Sequence, residues 1–314
     1  MAIGILYESK EWSSYALRDN IAAMGVTARL IDMQEDIDED ELLSFDLILN
    51  RVFASSVFRD HQKSLDRMPG IIELLRSRNI PMINPYKAHF YEISKELSTS
   101  TLARHGFPVP EVYCVFTPVQ ISGSAIIQGS ASALAQIKYP CIVKPDCGGR
   151  TNCTFIVRDD DHLAQCMKNV PDIKFIAEEY IRPGYGYLTR IEVIGGSCKL
   201  ILKRSVTEGG LSAYHLGSVY EAYEDCNDEI RLAAVKAMDL LQIETGSMDI
   251  IENTGGFYII DINSVSNASE DNIEMFDFDL MKETAAYAVK RYRELTTRYN
   301  GDRLKRIVVG KNGS

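Results

Sequence analysis

The stretch GSMDIIENTGGFYIIDIN, Gly246 to Asn263, decides how this chain is read. Two apolar runs flank Asn253-Thr254-Gly255-Gly256, and the glycines supply what a tight hairpin turn needs. Asp249 falls in the first predicted strand, and Asp261 and Asn263 fall in the second. Asp261 and Asn263 are two residues apart, so they project from the same face of their strand. Two carboxylates and an amide oxygen converging from one hairpin suit a hard cation such as Mg²⁺, which prefers oxygen ligands. The same residues also fit ordinary polar positions near strand ends, so the rest of the chain has to arbitrate.

A chain of 314 residues is long for one compact core, which predicts two or three domains or lobes. The net charge of −10 speaks against nucleic acid or an anionic membrane surface as the main partner. The seven cysteines show no CxxC pair and no paired framework, and the five histidines show no metal-ligand spacing. The start, MAIGILYESKEW, lacks the basic and long apolar regions of a signal peptide, and no apolar run approaches about 20 residues. The expectation is a reduced, cytoplasmic protein.

Upstream, strand and helix signals alternate over residues 1–85. Ala2–Glu8, Thr27–Ile31, Phe45–Val52 and Ile80–Ile83 read as strands, and Ser13–Met24 and Gly70–Ser77 as helices. This predicts a small parallel α/β domain. Ligands of such layers sit beyond the carboxyl ends of the strands, which makes Arg51 a candidate for a substrate anion. Tyr86–His105 reads as one polar helix with Lys95 in its middle, Glu111–Phe116 as extended, and Gln120–Ser132 as a Ser/Gly-rich loop. Cys141–Pro145 is a short strand carrying Lys144, followed by a flexible loop with Gly148 and Gly149 that leaves room for a phosphate. It is not a P-loop, because the lysine precedes the glycines.

Strands Thr154–Val157 and Lys174–Ile181 follow, with a helix between them. Tyr187–Ile194 and Lys199–Val206 read as an antiparallel pair, with Arg190 and Glu192 on one face and Lys203 and Arg204 on opposite faces. A Gly-containing loop holds His215, Asp228–Leu241 has helical periodicity, and a long helix is predicted from about Asp279 to Tyr299, before a loose basic tail.

A strand lysine, a glycine loop, the acidic-then-apolar run Glu178-Glu179-Tyr180-Ile181 and a closing D…D-x-N hairpin occur in one order. That order resembles the ATP-grasp superfamily, and within it the RimK-like carboxylate–amine ligases. The resemblance covers nearly the whole chain. It implies an α/β protein, α+β in the grasp lobes, with an N-terminal pre-ATP-grasp domain (1–85), a central lobe (86–182), a C-terminal lobe (183–300) and a flexible tail (301–314). It implies that Lys95, Lys144, Gly148 and Gly149 bind ATP phosphates and that Glu178, Glu179, Tyr180 and Ile181 form the adenine hinge. Asp249, Asp261 and Asn263 match the metal ligands for one or two Mg²⁺ ions, with Mn²⁺ as an allowed replacement.

Four departures stand out. Asp261 replaces the usual Glu. The D-x-R motif becomes Leu188-Thr189-Arg190. The R-S-N-x-H-x-x-G loop becomes Leu211-Ser212-Ala213-Tyr214-His215-Leu216-Gly217. The E-x-N-x-S-P-G ending becomes Asp261-Ile262-Asn263-Ser264-Val265-Ser266-Asn267. They put the ribose contacts, the phosphate pocket and the substrate in question.

The implied chemistry is amide or peptide bond formation. A carboxylate attacks the γ-phosphate of ATP, and an amine then displaces phosphate from the acyl phosphate. Phosphoryl transfer needs charge neutralisation more than covalent help. Arg190, with Lys203 or Arg204, would therefore stabilise the transferring group and the later oxyanion. Arg51 and His215 are candidates for the substrate side. The expected partners are a small carboxylate and an amine, either an amino acid or a peptide, with no nucleic acid and no membrane. A homo-oligomer is compatible with the family. Two other classes also fit: an ATP-grasp kinase acting on a hydroxyl, and a non-catalytic nucleotide-binding regulator, which Leu188 and Ala213 bring to mind. Amine-dependent ADP release separates the first reading from both.

Overall fold

The computed structural model describes residues 2–121, 124–128, 134–266 and 268–311. The chain divides into two compact units, the first made of Met1–Val52, Asp66–Ile83 and Asn267–Ser314, the second of Phe53–Leu65 and Asn84–Ser266.

In the first unit, β1 (Ile3–Tyr7), β2 (Ala28–Asp32), β3 (Leu47–Arg51) and β4 (Met82–Ile83) form a parallel sheet in the order β2-β1-β3-β4. β1 and β3 are buried along their whole length, as expected of apolar runs inside a parallel sheet. Gly4 is needed in β1, because a Cβ there would meet Ile48 Cδ1 at 2.7 Å. Helix α1 (Trp12–Ala23) runs to Gly25, whose φ of 79° lets the chain turn out of it. Helix α2 (Glu39–Leu43), capped by the Asp38 carboxylate, was not predicted. Helix α3 (Gln62–Ser77) starts eight residues before the predicted Gly70 and accommodates Pro69; its residues from Asp66 onward belong to this unit.

The second unit carries two five-stranded sheets. The predicted single helix Tyr86–His105 is two helices, α4 (Tyr86–Glu92) and α5 (Lys95–Arg104), because the Ser94 hydroxyl caps a new start by accepting from Leu97 N–H. Lys95 is thus the first residue of α5 rather than its middle. The first sheet has the order β6-β5-β9-β7-β8, from β5 (Val112–Ile121), β6 (Ser124–Gln128), β7 (Cys141–Pro145), β8 (Phe155–Val157) and β9 (Phe175–Glu179). β6 corrects the loop expected over Gln120–Ser132: it pairs with the end of β5 as a hairpin. Residues 122–123 and 129–132 of that expectation lie outside the described residues. Helix α6 (Asp160–Cys166), capped by Asp159, packs Leu163 into a core with Phe116, Val143 and Phe175.

The second sheet has the order β12-β11-β10-β13-β14 and is antiparallel throughout, from β10 (Tyr187–Ile194), β11 (Ser197–Ser205), β12 (Tyr220–Ala222), β13 (Thr245–Asn253) and β14 (Gly256–Asn263). One face packs Ile191, Met248, Ile250 and Ile259 against Ile230, Ala234 and Met238 of α7 (Asp228–Leu240). Burying each such aliphatic side chain contributes about 1.5–3 kcal/mol. Strand alternation then puts Arg190 and Asp249 on the opposite face, and the irregularity that leaves Ile260 unpaired brings Asp261 there as well, as the register partner of Asp249.

The chain returns to the first unit as α8 (Asp271–Phe276) and α9 (Leu280–Lys311). The expectation assigned residues 267–300 to the C-terminal lobe. Instead α9 packs on α1, with Arg293 Nη2 donating to the Met24 carbonyl at 3.0 Å. It also runs past residue 301, where a loose tail was expected. No helix among the described residues is long and apolar enough to cross a membrane.

Candidate active site

The hairpin forms as its sequence predicts. Asp249 is the register partner of Asp261, and Ser247 of Asn263. Such cross-strand partners hold their Cβ atoms about 4.5–5.5 Å apart. The Asn253 side chain accepts from Gly255 N–H at 2.8 Å and closes the turn. A bulge follows Asp249: Ile250 pairs with Ile259, and Ile260 has no partner across the ladder. Bulges re-aim backbone groups, and here the Ile260 carbonyl accepts from Lys144 Nζ at 3.0 Å.

Around this point the second unit gathers four cations and four carboxylates. Lys95 Nζ lies 2.5 Å from Asp261 Oδ1, and Lys144 Nζ lies 2.6 Å from Glu178 Oε1. Asp249 is held by Arg190 Nη1 at 3.3 Å and by Arg204 Nη2 at 3.0 Å. Arg190 also donates to Glu192 Oε1 at 2.8 Å and to Ser247 Oγ at 2.6 Å. All eight side chains are largely buried, where unpaired charge is costly and pairing dominates. Burial alone favours neutral Lys95, but Asp261 outweighs it and holds the lysine above its ordinary pKa. Burial likewise opposes Asp261, yet Lys95 and Lys144 keep it below the usual carboxylate range. Burial also works against charged Arg190, and Glu192 and Asp249 more than offset it. For Glu178 burial wins over Lys144, and its pKa is raised. Glu178 Oε2 is buried with no hydrogen-bond partner among the described residues.

Beside the charged cluster lies an apolar one of Ile181, Leu188 and Ile251, with Val206, Tyr258 and Ile260 packed against it. Leu188, where the family motif has Asp, is thus part of an apolar bed. The glycine loop leaves the end of β7. A Cβ on Gly148 would meet Phe58 Cε2 at 2.8 Å, whereas one on Gly149 would meet only Ser55 Cβ at 3.4 Å. Arg150, Thr151 and Cys153 all have φ between 49° and 59°, an uncommon left-handed run for residues with side chains. His215 is exposed, with Nε2 3.4 Å from Thr151 Oγ1 of this loop. The Cys147 thiol is pushed up to about 12 by burial and by Glu92, which removes it as a nucleophile near neutral pH.

Not every candidate joins the charged cluster. Lys203 faces away from the cluster: its ammonium sits 4.2 Å from the Tyr223 ring centroid and 4.8 Å from that of Tyr187, because it alternates with Arg204 along β11. Glu179 also turns aside, with Oε2 accepting from Glu111 N–H at 3.3 Å. Tyr180 and Ile181 follow the end of β9 rather than extending it. Arg51 belongs to the first unit, where it is buried and donates to Ser13 Oγ at 2.9 Å. Burial lowers its pKa to about 10, with Glu11 and Glu8 acting in the opposite sense.

Sequence reasoning missed Glu92, Asn84 and Asp146. The Glu92 carboxylate accepts from Ala54 N–H at 3.1 Å and Ser264 N–H at 2.5 Å, and the Asn84 amide donates to the Ser264 and Thr245 carbonyls at 2.5 and 2.8 Å. These contacts anchor the chain just after Asn263. Only Ser94, as an N-cap signal ahead of Lys95, was locally visible; the other contacts span 38 to 180 positions.

Among the described residues no three His, Cys, Asp or Glu side chains group as a metal site. A metal here would rest on Asp249, Asp261 and the Asn263 amide, an all-oxygen set that fits a hard cation.

A family model described as a RimK-like ATP-grasp domain matches residues 93–287, which include every candidate site residue except Arg51. A D-alanine–D-alanine ligase of Pediococcus pentosaceus is 31% identical over 139 residues, covering 40% of this chain and 39% of that protein. An N-acetylaspartylglutamate synthase A of Mus musculus is 23% identical over 222 residues, covering 70% of this chain and 55% of that protein. The chain thus spans only 39% and 55% of the lengths of these two relatives. The crystal structure of a RimK-domain ATP-grasp protein from Sphaerobacter thermophilus matches with a TM-score of 0.66 at 18% identity, covering 91% of this chain and 99% of that one. The architecture is the ATP-grasp fold, and the chain belongs to the RimK-like ATP-grasp family.

Proposed function

We propose that this protein is an ATP-dependent carboxylate–amine ligase that forms an amide or peptide bond and releases ADP and phosphate. One observation carries the reading: Lys95, Lys144 and Glu178, from α5 and the first sheet, converge with Arg190, Arg204, Asp249, Asp261 and Glu192 of the second sheet, beside a glycine loop and an apolar bed. A polyphosphate carrying its metal presents both signs of charge, so it can exchange into both sets of ion pairs.

Lys95 and Lys144 would hold phosphate oxygens as point charges. The apolar bed of Ile181, Leu188 and Ile251 suits a flat base, and the orphaned Glu178 Oε2 is an acceptor for an exocyclic amine. Asp249, Asp261 and Asn263 would hold Mg²⁺, which neutralises charge on the transferring phosphoryl group when bound. Arg190 and Arg204 provide fixed donors for the developing oxyanion, an effect on the order of 10²-fold or more per donor in other enzymes. The loop from Asp146 to Cys153 would shield the acyl phosphate from water. The relatives' names point to amino-acid carboxylates and amines, and we assign that class here. His215 remains our candidate for its recognition.

The test is ADP release with Mg·ATP in the presence of carboxylate and amine pools, together and separately. ADP formed only when both are present supports ligation. ADP formed with a hydroxyl acceptor and no amine overturns it in favour of a kinase.

A further inference from the structure

The geometry points to Asp146 as a positioning residue that sets Lys95 against Lys144 for nucleotide binding, an inference resting on the assignment of both lysines to phosphate. Asp146 follows Lys144-Pro145 at the end of β7 and is only 3% exposed. It touches the start of α5 at three points. Its main-chain carbonyl accepts from Lys95 N–H at 3.0 Å. Its Oδ1 accepts from Glu96 N–H at 2.8 Å. Both carboxylate oxygens accept from Ser94 Oγ, at 3.2 and 3.0 Å. Two otherwise unsatisfied amides of the first turn therefore end on one residue, and its negative charge sits where a helix start favours an anion.

Asp146 is tied to the sheet as well. Its N–H donates to the Lys174 carbonyl at 2.9 Å, and Lys174 Nζ is 3.3 Å from Oδ2. That ammonium is more than half exposed and contributes little. The consequence is a rigid link: Lys144 lies two residues before Asp146, and Lys95 is the residue whose amide Asp146 binds. The two ammonium groups then reach adjacent positions of β14, the Asp261 side chain and the Ile260 carbonyl. Loss of the Asp146 carboxylate releases Glu96 N–H and Ser94 Oγ and leaves only the main-chain bond to Lys95 N–H, so the first turn of α5 loosens and Lys95 drifts relative to Lys144.

The experiment is the affinity of the full chain for Mg·ADP by calorimetry, which needs no substrate. Asp146→Ala is expected to weaken binding about tenfold, and Asp146→Asn, which keeps the acceptor for Glu96 N–H, to restore most of it. An Asp146→Ala variant binding within twofold of the parent overturns the inference. So does an Asp146→Asn variant no better than Asp146→Ala, which would indicate general damage rather than a lost anchor. If Asp146→Ala does not fold, Ser94→Ala reads the same link: at least threefold weakening supports it, and parent-like affinity overturns it. Lys144→Met separates the two levels. If Lys144→Met binds Mg·ADP like the parent, the phosphate assignment itself falls; if it weakens binding while the Asp146 and Ser94 variants do not, only the positioning role falls.

Discussion

Lys95 and Asp261, 166 positions apart in sequence, meet at 2.5 Å, so the first residue of α5 is bound directly to the hairpin that carries the carboxylates. The pair is largely buried, and each member holds the other in its charged form. Lys95→Met would strand the Asp261 charge and is expected to destabilise the fold by about 2–3 kcal/mol. Adding Asp261→Asn should recover most of that stability in urea unfolding, while Mg·ADP affinity stays at least tenfold reduced. Recovery of affinity in the double variant would contradict the assigned roles.

Arg204 and Lys203 are neighbours with opposite expected phenotypes. Arg204→Met removes a guanidinium from Asp249 and should lower turnover on the order of 10²-fold. Lys203→Met removes a cation from between Tyr187 and Tyr223, which costs about 1 kcal/mol of stability. Nucleotide affinity should stay within twofold in that variant. Equal losses of turnover in the two variants would refute this division of the strand.

The two adjacent loop glycines should also differ. Gly148→Ala drives a methyl into the Phe58 ring edge, with Pro145 Cβ 3.3 Å away on another side, so the loop must shift. Gly149→Ala makes ordinary contact with Ser55. Mg·ADP binding is expected to weaken about tenfold in the first and less than twofold in the second, a difference of about 1 kcal/mol.

His89 gives the fold a pH dependence. It is 3% exposed, neither ring nitrogen has a hydrogen-bond partner among the described residues, and burial lowers its pKa to about 4. The unfolded chain therefore takes up a proton below about pH 6.5 that the folded chain does not. The stability from this group is complete above that value and is lost as pH falls towards 4, by about 2–3 kcal/mol in all. Urea unfolding of the parent between pH 7.5 and 4.5 should show this loss, and His89→Phe should flatten it. An unchanged slope in the variant would exclude His89 as the source.

The sequence by itself determined the hairpin, its turn and the sharing of one face by Asp261 and Asn263, because strand alternation and turn chemistry are local. It also determined the parallel N-terminal sheet, whose buried strands are continuous apolar runs. Only the tertiary structure decided which of Lys203 and Arg204 meets Asp249, since period-2 alternation separates their faces without saying which face is the site. It likewise decided that Asp146, Glu92 and Asn84 anchor the site. Those outcomes depend on buried polar groups finding partners 38 to 180 positions away, and no local pattern encodes which partner a buried carboxylate or amide will reach.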